Sequence, residues 1–597
     1  MRILPTVGNM KYKDRMMADE AKDYSSREIL SRLMAYLRPY RKMVLVALIL
    51  SIMSSALLIA RPYLIKVAID NYIESKNVEG LGKFMILFIM FYLGRVLVAY
   101  FLNMITGVIG QKVMHDLRMK IFGHILSMEM RFFDRNKVGR LMTRTTDDVA
   151  TLNELYTSGA VRLINNSGII VGIIIMMFFL DWRLALLTLT ISPFLYLTAY
   201  IFSTKIRVIY RDIRKSTARL NAFLQENILG MRIIKQMLRS SWSFRKFSRY
   251  SDDLMGQRIH NILYYGLFFP VMEFLGVICI AFVLSYGGQR THIGTLQLGV
   301  MVAFIRLVDM FFWPIREMAE NFNVMLAAMV SSERIFTLLD TEPSVKDSPS
   351  SVSIPTRNDI VFENVWFAYD GEDWILKDLS FRVENGESVA FVGPTGAGKT
   401  SIINLLLRFY DVNRGRILIG GRDIRDIPLA HLRGLISHVG QEPFLFNRTV
   451  QENITLGDNE IEESRIREIM RRIGSDDFID RLENGYDTVV LERGIRLSQG
   501  QRQLVSFARA LSADRRILVL DEATSSVDTF TDSLIQKAIP ILMEGRTSII
   551  IAHRLSTVRH VDCIHVLAKG RIYESGTHQK LMDNDGLYAK LSRMHLD

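Results

Sequence analysis

Six apolar runs between residues 43 and 313 lack the polar stripe that a water-facing helix shows at a period of 3.6 residues. They cover residues 43–65, 84–109, 163–180, 184–203, 262–286 and 296–313, and residues 43–60 hold no charge at all. A membrane-crossing helix needs about 20 apolar residues. Six such runs are hard to bury in one water-soluble core, so the pattern predicts six transmembrane helices. Residues 111–126 and 204–225 keep helical period without proline beyond the second and fourth runs. They read as continuations of those helices, reaching about 30 Å past the bilayer. Residues 27–42 mix Leu, Met and Tyr with Arg at helical spacing. That pattern suits a helix lying on the membrane surface or a solvated helical leader.

The pattern changes after Asp340. Residues 341–357 are rich in Ser, Pro and charge without periodicity and read as a linker. From Asn358 onward, strand-length apolar runs alternate with amphipathic helices, which predicts an α/β domain. The expected division is a leader at 1–42, a six-helix membrane domain at 43–340, a linker at 341–357 and an α/β domain at 358–597.

Charge orients the membrane half. Residues 112–162 carry nine Lys/Arg and residues 205–258 carry thirteen, whereas residues 66–83 carry three and residues 287–295 only Arg290. Lys/Arg-rich short loops stay cytoplasmic, which places both long loops and both termini on that side. The net charge of +12 is thereby explained without a nucleic-acid partner. With 49% hydrophobic and 23% charged residues, the chain is neither disordered nor collagenous. Its two cysteines, Cys279 and Cys563, build neither a disulfide framework nor a Cys-rich metal site. The polar residues 1–42 do not read as a secretory signal.

The chemistry is concentrated after residue 388. Gly393, Pro394, Thr395, Gly396, Ala397, Gly398, Lys399, Thr400 and Ser401 form a P-loop between an apolar strand and a helical run. Glycines let backbone N–H groups converge on phosphate oxygens, and the following helix N-terminus adds positive potential. Lys399 supplies a charge for the β/γ-phosphates and the Thr400 hydroxyl can ligate Mg²⁺. Asp521 and Glu522 end a second apolar strand, where a Mg²⁺-holding carboxylate and a water-activating carboxylate belong. Alone, these two acids would read as a helix cap; with the P-loop they specify a P-loop ATPase.

Between those elements lies Leu497-Ser498-Gln499-Gly500-Gln501. With it the chain closely resembles the ATP-binding cassette family, and within it an exporter half-transporter of the B-type (type IV) kind. The resemblance implies an α-helical six-span membrane domain fused to an α/β P-loop ATPase domain. It implies that Tyr369 stacks on adenine, that Gln441 senses Mg²⁺, and that His553, 31 positions beyond Glu522, contacts the γ-phosphate. Ser498, Gln499, Gly500 and Gln501, with Asp528, correspond to the elements that reach the ATP held by a second protomer. Glu492-Arg493-Gly494 resembles the exporter loop that touches the cytoplasmic membrane loops. The turns expected to dock are Arg131–Asp134 with Val138-Gly139, and residues 230–238, although Phe132 and Phe133 have an alternative reading as membrane-surface anchors.

The resemblance implies ATP-driven export of a lipophilic drug or lipid across a bacterial plasma (inner) membrane. A membrane regulator or channel that does not pump, and a peptide exporter, are the alternatives. The family's usual LSGGQ has Gln499 at its first glycine while Glu522 and His553 are kept. That combination favours the catalytic half of a heterodimer over a homodimer. Arg95, Glu273, Arg306 and Asp309 lie in or near the spans, where ionisable groups face a cavity or pair with one another.

Overall fold

The computed structural model describes residues 24–348, 355, 357–458, 461–521, 529–552 and 555–594. The chain divides into two compact units, one of residues Met1–Leu126 with Val138–Thr341 and one of Ser127–Lys137 with Glu342–Asp597.

The first unit is helical. The first apolar run lies in the helix Arg41–Ala68, which continues through a π-turn at Ile69–Ile73, and the second lies in Val78–Leu126. The third falls in Ala160–Leu180, the fifth in Ser240–His292 and the sixth in Leu298–Leu339. Among the described residues four helical stretches are long and apolar enough to cross a membrane: Arg38–Ile73, Val78–Leu126, Trp182–Leu229 and Ser240–His292. The helix Val78–Leu126 has 49 residues, so at 1.5 Å per residue it is about 70 Å long, well beyond a hydrocarbon core of about 30 Å. Ser192–Leu229 likewise runs unbroken through residues 204–225. The fourth run is not one helix. It is split into Trp182–Leu189 and Ser192–Leu229, because Pro193 sits in the first turn of the second piece and has no N–H to continue the first.

Polar contacts pin the helix ends. Asp181 caps Trp182–Leu189 by accepting from Arg183 and Leu184 N–H, each at 3.0 Å, and also takes the Arg290 guanidinium at 2.6 Å. The helix Leu298–Leu339 has no side-chain cap of its own at Gln297. Asp70, from the π-turn, serves instead by accepting from Gly299 N–H at 2.7 Å. A Cβ on Gly299 would sit 2.5 Å from that carboxylate oxygen and 2.7 Å from the Lys66 carbonyl oxygen. Gly299→Ala is therefore expected to cost about 1–3 kcal/mol through overpacking and a strained cap. Thermal unfolding of the solubilised protein checks this, and an unchanged midpoint would show that the cap is dispensable.

The helix Ser26–Ala35 buries Ile29 and Leu33 and leaves Leu30 and Met34 exposed. It is clasped to the end of Leu298–Leu339, where Asp340 accepts from the Tyr24 hydroxyl at 2.7 Å and from Arg32 at 2.8 Å. Residues 1–23 of the expected leader lie outside the described residues.

The second unit holds two sheets. Strands β1 (Ile360–Phe367), β2 (Leu376–Val383), β4 (Arg414–Ile419) and β5 (Arg422–Asp423) form an antiparallel sheet in the order β2-β1-β4-β5. Strands β3 (Ser388–Val392), β6 (Ile436–Val439), β7 (Ile517–Asp521), β8 (Thr547–Ile551), β9 (Cys563–Ala568) and β10 (Arg571–Gly576) form the other, in the order β10-β9-β3-β8-β7-β6. All of its pairings are parallel except β9–β10. Every residue of β3, β7 and β8 is buried, as expected where both sheet faces are covered. Alternate positions serve opposite cores: Ala390, Leu518, Leu520 and Ile550 face one, and Phe391, Ile517, Val519 and Ile549 the other. Lys346 and Asp347 of the expected linker are anchored in this unit. Arg408 donates to the Lys346 carbonyl at 3.0 Å, and Asp347 accepts from Leu429 N–H at 2.8 Å.

Candidate functional site

Parallel strands all end on one edge, and in such sheets ligands bind outside the carboxyl ends. The register aligns the expected chemistry there. Phe391 of β3 and Asp521 of β7 both pair with Ile551 of β8, so they lie level on either side of it. Val439 of β6 pairs with Leu520, which brings Gln441, two residues on and exposed, to the same edge. Glu522, Asp528 and His553 lie outside the described residues.

The P-loop leaves β3 at Gly393 and enters the helix Lys399–Leu406. Gly393 has φ +152, and a Cβ there would lie 2.0 Å from the Leu567 carbonyl oxygen of β9. No other residue fits that approach. Gly398 caps the helix in the left-handed conformation. Pro394, Thr395 and Gly396 form the exposed crest, Ala397 is buried beneath it, and Thr400 is exposed at the start of the helix.

Lys399 and Asp521 are each 6% exposed. The Lys399 ammonium donates to the carbonyls of Gly393 at 2.7 Å and Pro394 at 3.1 Å, which holds it inside the loop. Burial pushes its pKa down, and the attraction of Asp521 opposes the shift. Burial pushes Asp521 up, and Lys399 opposes that in turn. Both buried charges are therefore disfavoured, and an arriving anion with its counter-cation relieves both. The Thr400 hydroxyl, the Asp521 carboxylate and the Gln441 amide are hard oxygen donors, a set that fits Mg²⁺. Among the described residues no group of three His, Cys, Asp or Glu side chains offers a competing metal centre.

Tyr369 follows β1. Its hydroxyl lies 3.1 Å from Ser401 Oγ and accepts from Asn404 Nδ2 at 3.1 Å, so it is bound to the P-loop helix. Its ring packs edge-on against Phe367 at 4.8 Å and Tyr410 at 5.0 Å.

The signature opens the helix Gln499–Ser512. Ser498 is its cap in a reciprocal box: Ser498 Oγ accepts from Gln501 N–H at 3.2 Å while Gln501 Oε1 accepts from Ser498 N–H at 2.9 Å. Gln499 and Gly500 are the first helical residues, and Gly500 is buried. Gln499 thus occupies a helical position any residue can adopt, and the anion-favouring helix end is kept. Glu492–Gly494 forms a 3₁₀ turn just ahead of it, with Leu491 and Arg493 at positive φ.

Arg131–Asp134 lies in the short helix Met130–Arg135 and Phe132 is buried, so it is not a membrane-surface anchor. Residues 230–238 likewise hold a short helix, Met231–Gln236, with Ile233 and Leu238 exposed. In the membrane unit Arg306 and Asp309 pair at 3.9 Å, and Arg95 lies 5.6 Å from the Tyr92 ring centre. Sequence reasoning missed a polar seam: Asn165 Oδ1 accepts from Ser55 at 2.8 Å and Ser51 at 3.3 Å, and Asn166 donates to Glu317 at 3.2 Å. The available signal was the Asn165-Asn166 pair opening an apolar run, with Ser51 and Ser55 one helical turn apart.

Residues 44–315 match the family described as ABC transporter transmembrane region, and residues 376–525 match the one described as ABC transporter. The chain is 35% identical to an ATP-dependent lipid A-core flippase of Syntrophus aciditrophicus, over 95% of this chain and 94% of that protein. It is 37% identical to the uncharacterized ABC transporter ATP-binding protein YknV of Bacillus subtilis, over 95% of this chain and 96% of that one. A bacterial Atm1-family ABC exporter with ATP bound superposes with a TM-score of 0.77 at 27% identity, covering 93% of this chain and 98% of its own.

Proposed function

We propose, from the premise that this chain belongs to the ABC transporter family and hydrolyses ATP to drive transport, that it is one half of an exporter for a lipophilic drug or lipid. Exporters of this family act as dimers and span a membrane. For this chain the membrane is the bacterial inner membrane, with the nucleotide-binding unit and both termini cytoplasmic, in keeping with the basic loops.

The observation that carries the reading is the shared edge of β3, β6 and β7, where buried Lys399 and Asp521 lie at the glycine-bearing loop that leaves β3. In this reading Gly393–Ser401 cradle the phosphates of ATP, with Lys399 on the β/γ-phosphates. Thr400, Asp521 and Gln441 hold Mg²⁺, which when bound neutralises phosphate charge. Tyr369 contacts the adenine. Glu522 takes a proton from the attacking water, and His553 with Lys399 stabilises charge on the transferred phosphoryl group. Ser498, Gln499, Gly500, Gln501 and Asp528 complete the site of the second protomer. ATP binding closes the dimer, and loss of the γ-phosphate resets it. The bias comes from ATP's preference for the closed form.

The lipid side of the substrate class is supported by the flippase relative, and the polar seam at Asn165 and Glu317 suits an amphipath with a polar head. Glu522 and His553 kept beside a signature carrying Gln499 support a heterodimer in which this chain is the catalytic half. The intact Ser498–Gln501 cap favours a homodimer as the second reading.

ATP-dependent accumulation of ethidium or a fluorescent phospholipid in inverted vesicles tests the pump. The expected result is uptake that needs both ATP and the chain with its mate. Hydrolysis at full rate with no uptake of either probe would turn the reading toward a regulator or channel.

A further inference from the structure

The short helix Met130–Arg135 sits in the first long basic loop, and its chain continues from the helix Val78–Leu126 and into the helix Val138–Thr145. The segment Ser127–Lys137 attaches at three points within the second unit. Glu129 accepts from Ser344 N–H and from Ser344 Oγ, each at 3.0 Å. Arg135 pairs with Asp370 at 2.5 Å. The Tyr410 hydroxyl donates to the Asp134 carboxylate, and the Arg131 guanidinium lies 6.0 Å from the centre of the Tyr410 ring.

Two of these three points bracket Tyr369. Asp370 is the next residue in the chain. The Tyr410 ring meets the Tyr369 ring edge-on at 5.0 Å and 88°, and both pack on Phe367, which is fully buried. The two tethers differ in strength. Arg135 and Asp370 are 48% and 75% exposed, where ion pairs are worth little. Tyr410 is 5% exposed and its acceptor is a carboxylate oxygen, the setting in which a hydrogen bond is strong. Burial, reinforced by Asp134, raises the Tyr410 pKa, so the hydroxyl remains a donor throughout the physiological range.

A base that settles on Tyr369 covers ring surface that its neighbours leave open, and the load on that ring reaches Tyr410 through their edge-on contact. Tyr410 in turn is fastened to the loop. The phosphates engage a different set of groups, the P-loop amides and Lys399. We propose that Tyr410, through its hydrogen bond to Asp134, is a positioning residue that makes the response of the first cytoplasmic loop depend on the base of the bound nucleotide. The inference rests on the reading of Tyr369 as the adenine contact.

The test uses the full-length protein with its mate in lipid nanodiscs. It reads hydrogen–deuterium exchange of residues 127–145, nucleotide affinity and turnover, with saturating ATP or UTP, whose smaller base stacks less. In the wild type ATP should slow exchange of this segment by about threefold or more, and UTP by less. Tyr410→Phe, which keeps the ring, should lose that ATP effect while its affinity for ATP changes by less than about twofold. Asp134→Ala should reproduce the loss from the other side, and Asp134→Asn, which keeps an acceptor oxygen, should restore most of it. An ATP effect of wild-type size in both Tyr410→Phe and Asp134→Ala would overturn the tether, even if Tyr369→Ala weakens ATP binding. Wild-type ATP affinity in Tyr369→Ala would instead overturn the adenine contact, and the base dependence with it.

Discussion

Glu522→Gln will bind ATP with near wild-type affinity and turn it over about 10²- to 10⁴-fold more slowly, the range that a lost general base produces. Strand β7 is buried to its last residue, Asp521, and Glu522 follows it directly in the chain. In the proposed reading the two neighbouring acids divide their labour: buried Asp521, beside Lys399, serves the cation on the phosphates, and Glu522 serves the water. Glutamine keeps the size and hydrogen bonding of the side chain but cannot accept the proton. ATP retained on the purified variant, with phosphate release followed in parallel, separates this from a folding defect. A variant that keeps more than about a tenth of wild-type turnover would remove Glu522 from the base role and shift attention to His553.

Gly393→Ala is expected to abolish nucleotide binding and to lower the stability of the second unit by several kcal/mol. The Cβ would meet the Leu567 carbonyl oxygen at 2.0 Å. That atom is backbone in the strand next to β3, held by the pairing of Val392 with Val566, so nothing flexible can yield. Backbone strain of about 1–3 kcal/mol at φ +152 adds to overpacking of similar size. Gly396→Ala is the control, since its φ of +82 is also strained but a Cβ there meets nothing within 4 Å. Its loss should stay near the strain alone, about 1–3 kcal/mol. Thermal unfolding and ATP affinity of the two variants decide the matter. Equal losses would mean that backbone strain, and not the approach to Leu567, is what Gly393 relieves.

The membrane half and the nucleotide-binding half were legible because their signals are local. A run such as residues 43–60 announces its environment by composition alone, and Gly393–Ser401 is read from the residue types a phosphate needs at fixed spacing. Where local signals competed, the reading blurred. Pro193 broke a run that hydropathy alone joined. Phe132 is as apolar as a membrane anchor, yet it is buried.

By itself the sequence determined a membrane half, an ATPase half and a phosphate-binding loop, and it set the expectation of which loops face the cytoplasm. Only the tertiary structure decided that Asp134 meets Tyr410, 276 positions away, that Asp70 caps the helix at Gly299, and that Asn165 gathers Ser51 and Ser55. The reason is physical. Hydropathy and phosphate-binding motifs act over a few neighbouring residues, whereas a hydrogen bond between distant side chains depends on the register and packing of every element that carries them.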